Sequence, residues 1–197
     1  MFEQSDHEVI FIAKRSHLED GFPGNRIFKC KYSLEEDDLV IQFYAESDRP
    51  TFVSMTNHSY FNLDVEPHLD NHFFMIEARG ALALDQEGIP IGTVTPAIGK
   101  FNLSTFQRLE ERVFDHNFIL TNTKEISLAA AAYCPTTDIT LEAHTDQPGL
   151  QFYTGNKKFF AFETQHFPDS PNQIKFPSTL VTPENPYEYY CIYRLNY

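Results

Sequence analysis

The 197-residue sequence lacks tryptophan and is poor in basic residues, with 15 Lys and Arg against 28 Asp and Glu. The formal net charge of −13 excludes a basic surface for nucleic acid and argues against binding to anionic lipid. The sequence has no run of roughly 18 apolar residues, so we expect no membrane-spanning helix. Neutral or hydroxyl-rich small molecules fit this charge better than polyanions do.

Cysteine is also scarce, because Cys30, Cys134 and Cys191 are the only three. Their odd number, their wide spacing and the absence of a Cys-x-x-Cys pair predict neither a zinc knuckle nor a disulfide framework. The N-terminal residues include acidic side chains and only a short apolar run, which is not the pattern of a secretory signal. We therefore expect a cytoplasmic protein with free thiols.

Aromatic and apolar side chains are abundant, with 19 Phe, 10 Tyr and a hydrophobic fraction of 42%. This composition is too apolar for a disordered chain, and the length is sufficient to bury a core. No linker-like stretch divides the sequence. We expect a single domain over residues 1–197.

The hydrophobic periodicity is mostly that of β-strands separated by turns rich in Pro, Gly and Asn. This pattern predicts an all-β sandwich or barrel. The run of alanines within 126–132 also suits a helix, but it is short and lies among strand signals, so we predict a strand. The predicted strands cover 8–13, 27–34, 38–45, 51–55, 73–78, 81–84, 117–121, 126–132, 138–145, 150–154, 158–163, 179–182 and 187–194.

One short helix is predicted after Ser104, which is followed three residues later by Gln107 in a capping-box pattern. Leu103, Phe106 and Leu109 would then share the buried face of that helix.

Polar side chains gather in four clusters, at 56–62, 115–118, 151–156 and 162–169. Most of these residues also have a purely structural interpretation, since Asp115 suits a turn and Gln151 suits the wet face of a strand. Glu163 is different because it ends the aromatic run at 159–163. A carboxylate in that position is paired, has a perturbed pKa, or faces a cleft.

His68, Asp70 and His72 form a fifth candidate, because a spacing of two places all three side chains on one face of a strand. Such a set could hold a metal ion. A solvated loop after Pro67 is the simpler interpretation, and we predict no metal site.

Four sequence blocks, found in a fixed order, resemble the aldose 1-epimerase, or galactose mutarotase, family. They are TNHSYFNL at 56–63, DHNFIL at 115–120, PGLQFYTGN at 148–156 and the block that runs from FETQHFPD to Pro186 and Tyr187. The turn GFPGN at 21–25 and the segment 84–103 also match phrases of that family. The resemblance implies a galactose mutarotase-like β-sandwich, called a supersandwich.

The resemblance extends to the C-terminal part of the family only. Ahead of the GFPG turn, members carry an N-terminal segment with an Asn-Arg pair that holds the sugar and a second active-site His in a His-Gly-Gly context, and the residues that precede this turn here match neither. We therefore expect a sandwich that is incomplete at its N-terminus. Exposed sheet edges would favour self-association or completion by a separate N-terminal chain.

The family's reaction interconverts the α and β anomers of a free aldose and needs no metal or other cofactor. A base takes the proton of the C1 hydroxyl and an acid protonates the ring oxygen, and we expect these two groups on opposite sides of the hemiacetal. By resemblance the base is Glu163, whose pKa burial should raise, and the acid is His58. The residues expected to hold the sugar are Ser59, Tyr60, Asp115, Gln151 and Tyr153.

Two alternatives to an active mutarotase acting on galactose or glucose stay open. One is a non-catalytic or vestigial carbohydrate-binding sandwich, and the other is half of a split enzyme that needs an N-terminal partner chain. A sugar-phosphate substrate fits less well, because no basic cluster lies near the motifs.

Overall fold

The computed structural model describes residues 2–122, 125–155 and 157–197, and the regular secondary structure of this part of the chain is almost entirely β-strand. Three short 3-10 turns lie at Glu19–Gly21, Gly99–Phe101 and Ser170–Asn172. The strands are β1 (Phe2–Gln4), β2 (Glu8–Arg15), β3 (Arg26–Glu35), β4 (Asp38–Ser47), β5 (Thr51–Phe52), β6 (Phe73–Ile76), β7 (Ala78–Leu84), β8 (Pro90–Pro96), β9 (Asp115–Leu120), β10 (Ser127–Cys134), β11 (Ile139–Thr145), β12 (Gly149–Tyr153), β13 (Ala161–Gln165), β14 (Leu180–Val181) and β15 (Tyr187–Asn196).

Two antiparallel sheets dominate the architecture. The eight-stranded sheet has the order β1-β2-β3-β4-β15-β11-β10-β6, and the five-stranded sheet has the order β13-β12-β9-β7-β8. Strands β5 and β14 form a separate two-stranded ribbon. The chain passes from one large sheet to the other at Glu77, between β6 and β7.

A cluster of phenylalanines fills the core and joins the sheets. Phe74 of β6 lies with its ring centroid 5.2 Å from that of Phe152 in β12 and 5.1 Å from that of Phe160. All three side chains are completely buried. Burial of aromatic rings of this size is a major favourable contribution to folding.

Strand alternation then decides what the other face of the five-stranded sheet presents. Phe152 and Phe162 point into the core, so their strand neighbours Gln151 and Glu163 lie on the opposite face. Gln151 and Glu163 are also directly opposite each other in the β12–β13 register. This pattern gathers the polar residues of three separate motifs on one sheet face.

The helix predicted after Ser104 is wrong, because that segment is extended and irregular. Gln107 exchanges backbone hydrogen bonds with Phe74 of β6, at 2.9 and 3.1 Å. The capping residues take other partners: Ser104 bonds to the Asn102 side chain, and the Gln107 side chain donates to the Asn102 carbonyl. Leu103 and Leu109 are buried as expected, but Phe106 is exposed, and the two leucines reach the core from a segment that follows a sheet edge.

The predicted strands are present, but 51–55 shortens to β5, 158–163 moves to β13, and β1 and β8 were not predicted. The alanine-rich run becomes β10, where Ala130 and Ala132 are fully buried between β6 and β11. No helix in the described ranges is long and apolar enough to cross a membrane.

Candidate active site

The segment at 56–61 runs antiparallel beside β13 and brings two distant motifs together. Phe61 and Phe160 exchange backbone hydrogen bonds of 2.8 and 2.9 Å, and the Thr56 hydroxyl donates a 3.0 Å hydrogen bond to the Thr164 carbonyl. Counting three residues back from Phe61 and three forward from Phe160 places His58 opposite Glu163. The local register therefore explains how a loop histidine reaches a strand carboxylate.

His58 and Glu163 are in direct contact. The His58 Nε2 atom lies 3.3 Å from Oε1 of Glu163. The imidazole is 45% exposed, whereas the carboxyl side chain is 10% exposed, so Glu163 forms the floor of the site and His58 its rim. The placement of acid and base on opposite sides of the hemiacetal stays a prediction; in this structure the two groups touch.

The environment of Glu163 favours its protonated form. Burial raises the pKa of Glu163 from its ordinary value of 4.5 to about 7, while the neighbouring His58 opposes this rise and the negative charge of Asp115 adds to it. A carboxyl group with a pKa near neutrality can both accept and return a proton at pH 7.

A hydrogen bond joins two further residues expected to bind the sugar. Gln151 Nε2 donates to Oδ1 of Asp115 at 2.7 Å. In the sheet register Gln151 pairs with Glu163 on one side, and Asp115 pairs with Tyr153. Carboxylate, amide and phenol groups therefore line one continuous strip of the sheet face.

Aromatic rings surround His58. The centroid of its ring is 4.6 Å from that of Tyr60 and 5.7 Å from that of Tyr153, and Tyr60 packs edge-on against Phe159 at 4.5 Å. Tyr60 is 56% exposed, so its ring is available to a ligand. The Ser59 hydroxyl makes no hydrogen bond within the described part of the chain; the Ser59 backbone N–H donates to Oδ1 of Asn57 at 3.4 Å.

Asn117 is a polar residue of this face that belongs to the predicted cluster at 115–118 but received no role there. It lies next to Gln151 in the register, is 1% exposed, and its side-chain amide has no hydrogen-bond partner among the described residues. The signal was present in the DHNFIL motif, where strand alternation places Asn117 on the same face as Asp115. Asn156, the last residue of the PGLQFYTGN block, lies outside the described residues.

The other candidate histidines have structural surroundings. His68 and Asp70 lie in a loop of bends and turns, and the buried His72 accepts a 2.9 Å hydrogen bond from the Leu63 backbone, so the three do not share a strand face. Within the described ranges no three His, Cys, Asp or Glu side chains form a group able to hold a metal ion. Burial lowers the pKa of His166 to about 4, and its Nε2 lies 3.2 Å from the Tyr189 hydroxyl. His116 packs against Phe101 and Phe114.

Sequence comparisons identify relatives of the chain. The sequence model of the aldose 1-epimerase family matches residues 2–194. Galactose mutarotase from Homo sapiens is 34% identical over 197 aligned positions, which cover 87% of this chain and 58% of that protein. Aldose 1-epimerase from Escherichia coli is 31% identical over 204 positions, which cover 88% of this chain and 59% of that protein. The chain thus spans less than two thirds of the length of either relative.

Two solved structures share the fold. The GalM/aldose epimerase homologue from C. elegans superposes with a TM-score of 0.92 at 22% identity, covering 100% of this chain and 68% of that chain. Galactose 1-epimerase from Lactobacillus acidophilus superposes with a TM-score of 0.83 at 21% identity, covering 100% of this chain and 65% of that chain. These likenesses confirm the predicted galactose mutarotase-like sandwich.

Proposed function

Because the chain belongs to the aldose 1-epimerase family, we propose that it interconverts the α and β anomers of a free hexose such as galactose or glucose. The observation that carries the proposal is the contact between His58 and a buried Glu163. The two oxygens that exchange protons in mutarotation, O1 and the ring oxygen, are bonded to the same carbon. An acid and a base that serve them must both reach the same hemiacetal, and His58 and Glu163 are close enough together to do so.

In the proposed reaction, ionised Glu163 takes the proton from the C1 hydroxyl while Nε2 of His58 gives a proton to the ring oxygen. The C1–O bond of the ring breaks and O1 becomes the aldehyde oxygen. Rotation about C1–C2 presents the other face of the carbonyl to the ring hydroxyl. Closure then returns one proton to His58 and one from Glu163 to the new C1 hydroxyl, so both groups are regenerated.

The remaining groups on the sheet face would hold the sugar during this exchange. Asp115 and Gln151 offer an acceptor and a donor to the hydroxyls, and the charged acceptor makes the stronger hydrogen bond. Tyr60 and Tyr153 present apolar ring surfaces beside His58, against which carbon-bound hydrogens of the sugar can pack. Orientation matters, because misplacing the reacting atoms by about 1 Å can slow a reaction about 10²-fold.

Polarimetry of freshly dissolved α-galactose or α-glucose tests the proposal. We expect the native chain to accelerate the drift of optical rotation to its equilibrium value. The carbohydrate-binding alternative uses the same exposed Tyr60 and the same Asp115–Gln151 pair, so it predicts heat of sugar binding in calorimetry without faster mutarotation. Acceleration that appears only after an N-terminal fragment of a relative is added would favour the split-enzyme alternative.

Self-association and a cytoplasmic location remain predictions from the sequence. The free edge strands support the first, since β1 and β8 each end a sheet and carry exposed side chains such as Phe2, Ile91 and Val94. Light scattering coupled to size exclusion would test it, and a monomer at all concentrations would contradict it.

A further inference from the structure

The Tyr193 hydroxyl lies inside the protein between the two segments that carry the acid–base pair. It is 2.5 Å from the carbonyl oxygen of Phe162, the residue before Glu163. It is also 2.9 Å from Oδ1 of Asn57, the residue before His58. Tyr193 is 2% exposed, so water does not compete for these contacts.

The protons of this cluster can be assigned by counting donors. The Tyr193 hydroxyl has a single proton, and both of its neighbours are acceptors, the Phe162 carbonyl oxygen and Oδ1 of Asn57. The hydroxyl therefore shares its proton between these two oxygens in a three-centre hydrogen bond. Oδ1 of Asn57 also accepts a hydrogen bond from the Ser59 backbone N–H. One oxygen atom therefore ties the loop to the strand.

Tyr193 is anchored independently of the site. It lies in β15, in the middle of the eight-stranded sheet, where it pairs with Leu39 on one side and Ala143 on the other. Its ring packs against Phe61, with centroids 4.9 Å apart, at the far end of the loop segment. Burial raises the pKa of Tyr193 well above its ordinary value, so the hydroxyl keeps its proton at any working pH.

We propose that Tyr193 is a positioning residue that fixes the distance between His58 and Glu163 by bridging Asn57 to the Phe162 carbonyl. The outer end of the same segment has a second tie, the hydrogen bond from Thr56 to the Thr164 carbonyl. These two ties precede His58, and the backbone hydrogen bonds between Phe61 and Phe160 hold the segment on its other side, although the His58 side chain itself is exposed. The importance of this bridge for catalysis rests on the proposed function, but the bridge itself does not.

A double-mutant cycle on the full chain tests the bridge. The readout is the pKa of the Glu163 carboxyl, followed by NMR with 13C-labelled glutamate and assigned with Glu163→Gln. His58 lowers the pKa of Glu163, and Asp115 raises it. His58→Ala should therefore raise the Glu163 pKa in the native background. Tyr193→Phe keeps the ring and removes only the hydroxyl. In that background, His58→Ala should raise the Glu163 pKa at most about half as much as in the native background.

Tyr189→Phe is the matched control. It removes the same atom from the same strand, but its hydroxyl contacts His166 and neither site segment. We expect His58→Ala to have its full effect in that background. An equal rise in all three backgrounds, or no rise in the native one, would overturn the proposal.

A second variant covers the case in which Tyr193→Phe does not fold. Asn57→Leu keeps the size of the side chain and removes its half of the bridge, and it should reduce the coupling in the same way. An undiminished coupling in folded Asn57→Leu would count against the bridge. The double-mutant cycle needs no turnover, so it separates failure of the bridge from failure of the proposed function. If the chain is active, Tyr193→Phe should lower kcat more than it changes KM.

Discussion

Gln151 and Asp115 join neighbouring strands through a 2.7 Å hydrogen bond directly beside Glu163. The bond holds the Asp115 carboxylate where its charge acts on Glu163, whose pKa it helps to raise. Sugar binding and proton transfer are therefore linked through one carboxylate. Substitution of Asp115 should change both.

Asp115→Asn should weaken sugar binding and shift the acid limb of the pH–rate profile to lower pH. Loss of a charged hydrogen bond costs about 1.5–3 kcal/mol, so KM should rise roughly tenfold or more. The shift to lower pH follows because a neighbouring negative charge no longer raises the pKa of Glu163. Asp138 lies at an exposed turn, where its carboxylate contacts only Tyr133 among the described residues. Asp138→Asn should therefore leave KM and the acid limb unchanged. An unshifted acid limb in Asp115→Asn would contradict the linkage.

His58→Ala should lower kcat by about 10²–10⁴-fold, the contribution expected of one general acid. KM should change little, because the imidazole acts on the ring oxygen during bond breaking. His144→Ala is the matched control, since His144 also contacts a carboxylate, Glu142 at 2.9 Å, on the eight-stranded sheet. Equal polarimetric rates for the two variants would remove His58 from the mechanism.

Glu163 should make the stability of the protein depend on pH. Its folded pKa is raised, so its contribution to stability is fully present below about pH 4.5 and is lost as pH rises towards about 7. Glu163→Gln should therefore gain stability relative to the native protein between pH 4 and pH 8, by on the order of 1–3 kcal/mol. Urea unfolding of both proteins at the two pH values measures the gain. A difference that does not vary with pH would show that Glu163 ionises normally.

Phe152→Ala should destabilise the sandwich by about 3–5 kcal/mol, because it leaves a cavity where Phe74, Phe114 and Phe162 meet. The unfolding midpoint in urea would report the loss. Phe2→Ala, whose ring is 65% exposed, should change stability by less than about 0.5 kcal/mol. A small effect of Phe152→Ala would mean that the phenylalanine cluster does not hold the two sheets together.

The strands that sequence reasoning found are those with clear alternation. Strands β3 and β4, for example, form a hairpin around Glu35 and Asp38 as the pattern indicates. Strand β8 was missed because Pro90, Gly92 and Pro96 are typical of turns. The strand lies at the edge of its sheet, where proline costs few ladder hydrogen bonds. The helix after Ser104 failed for a related reason, since pairing with Phe74 outweighed a local capping pattern.

The candidate site was predictable in its residues but not in its contacts. The aromatic run before Glu163 correctly predicted burial and a raised pKa, because both depend on local sequence. The contact with His58 depends on how the segment after Thr56 lies along β13, which no local pattern encodes. Tyr193 belongs to no motif at all. Only the meeting of the two sheets places its hydroxyl between Asn57 and Phe162.

The mutarotation rate of freshly dissolved α-galactose at pH 7, measured by polarimetry with native protein, Glu163→Gln and Glu142→Gln, tests the central claim most directly. We predict that the native chain and Glu142→Gln, in which a surface carboxylate beside His144 is neutralised, accelerate the reaction equally. Glu163→Gln should reduce the acceleration by about 10²–10⁴-fold. Equal acceleration by all three proteins would contradict the assignment of Glu163 as the base.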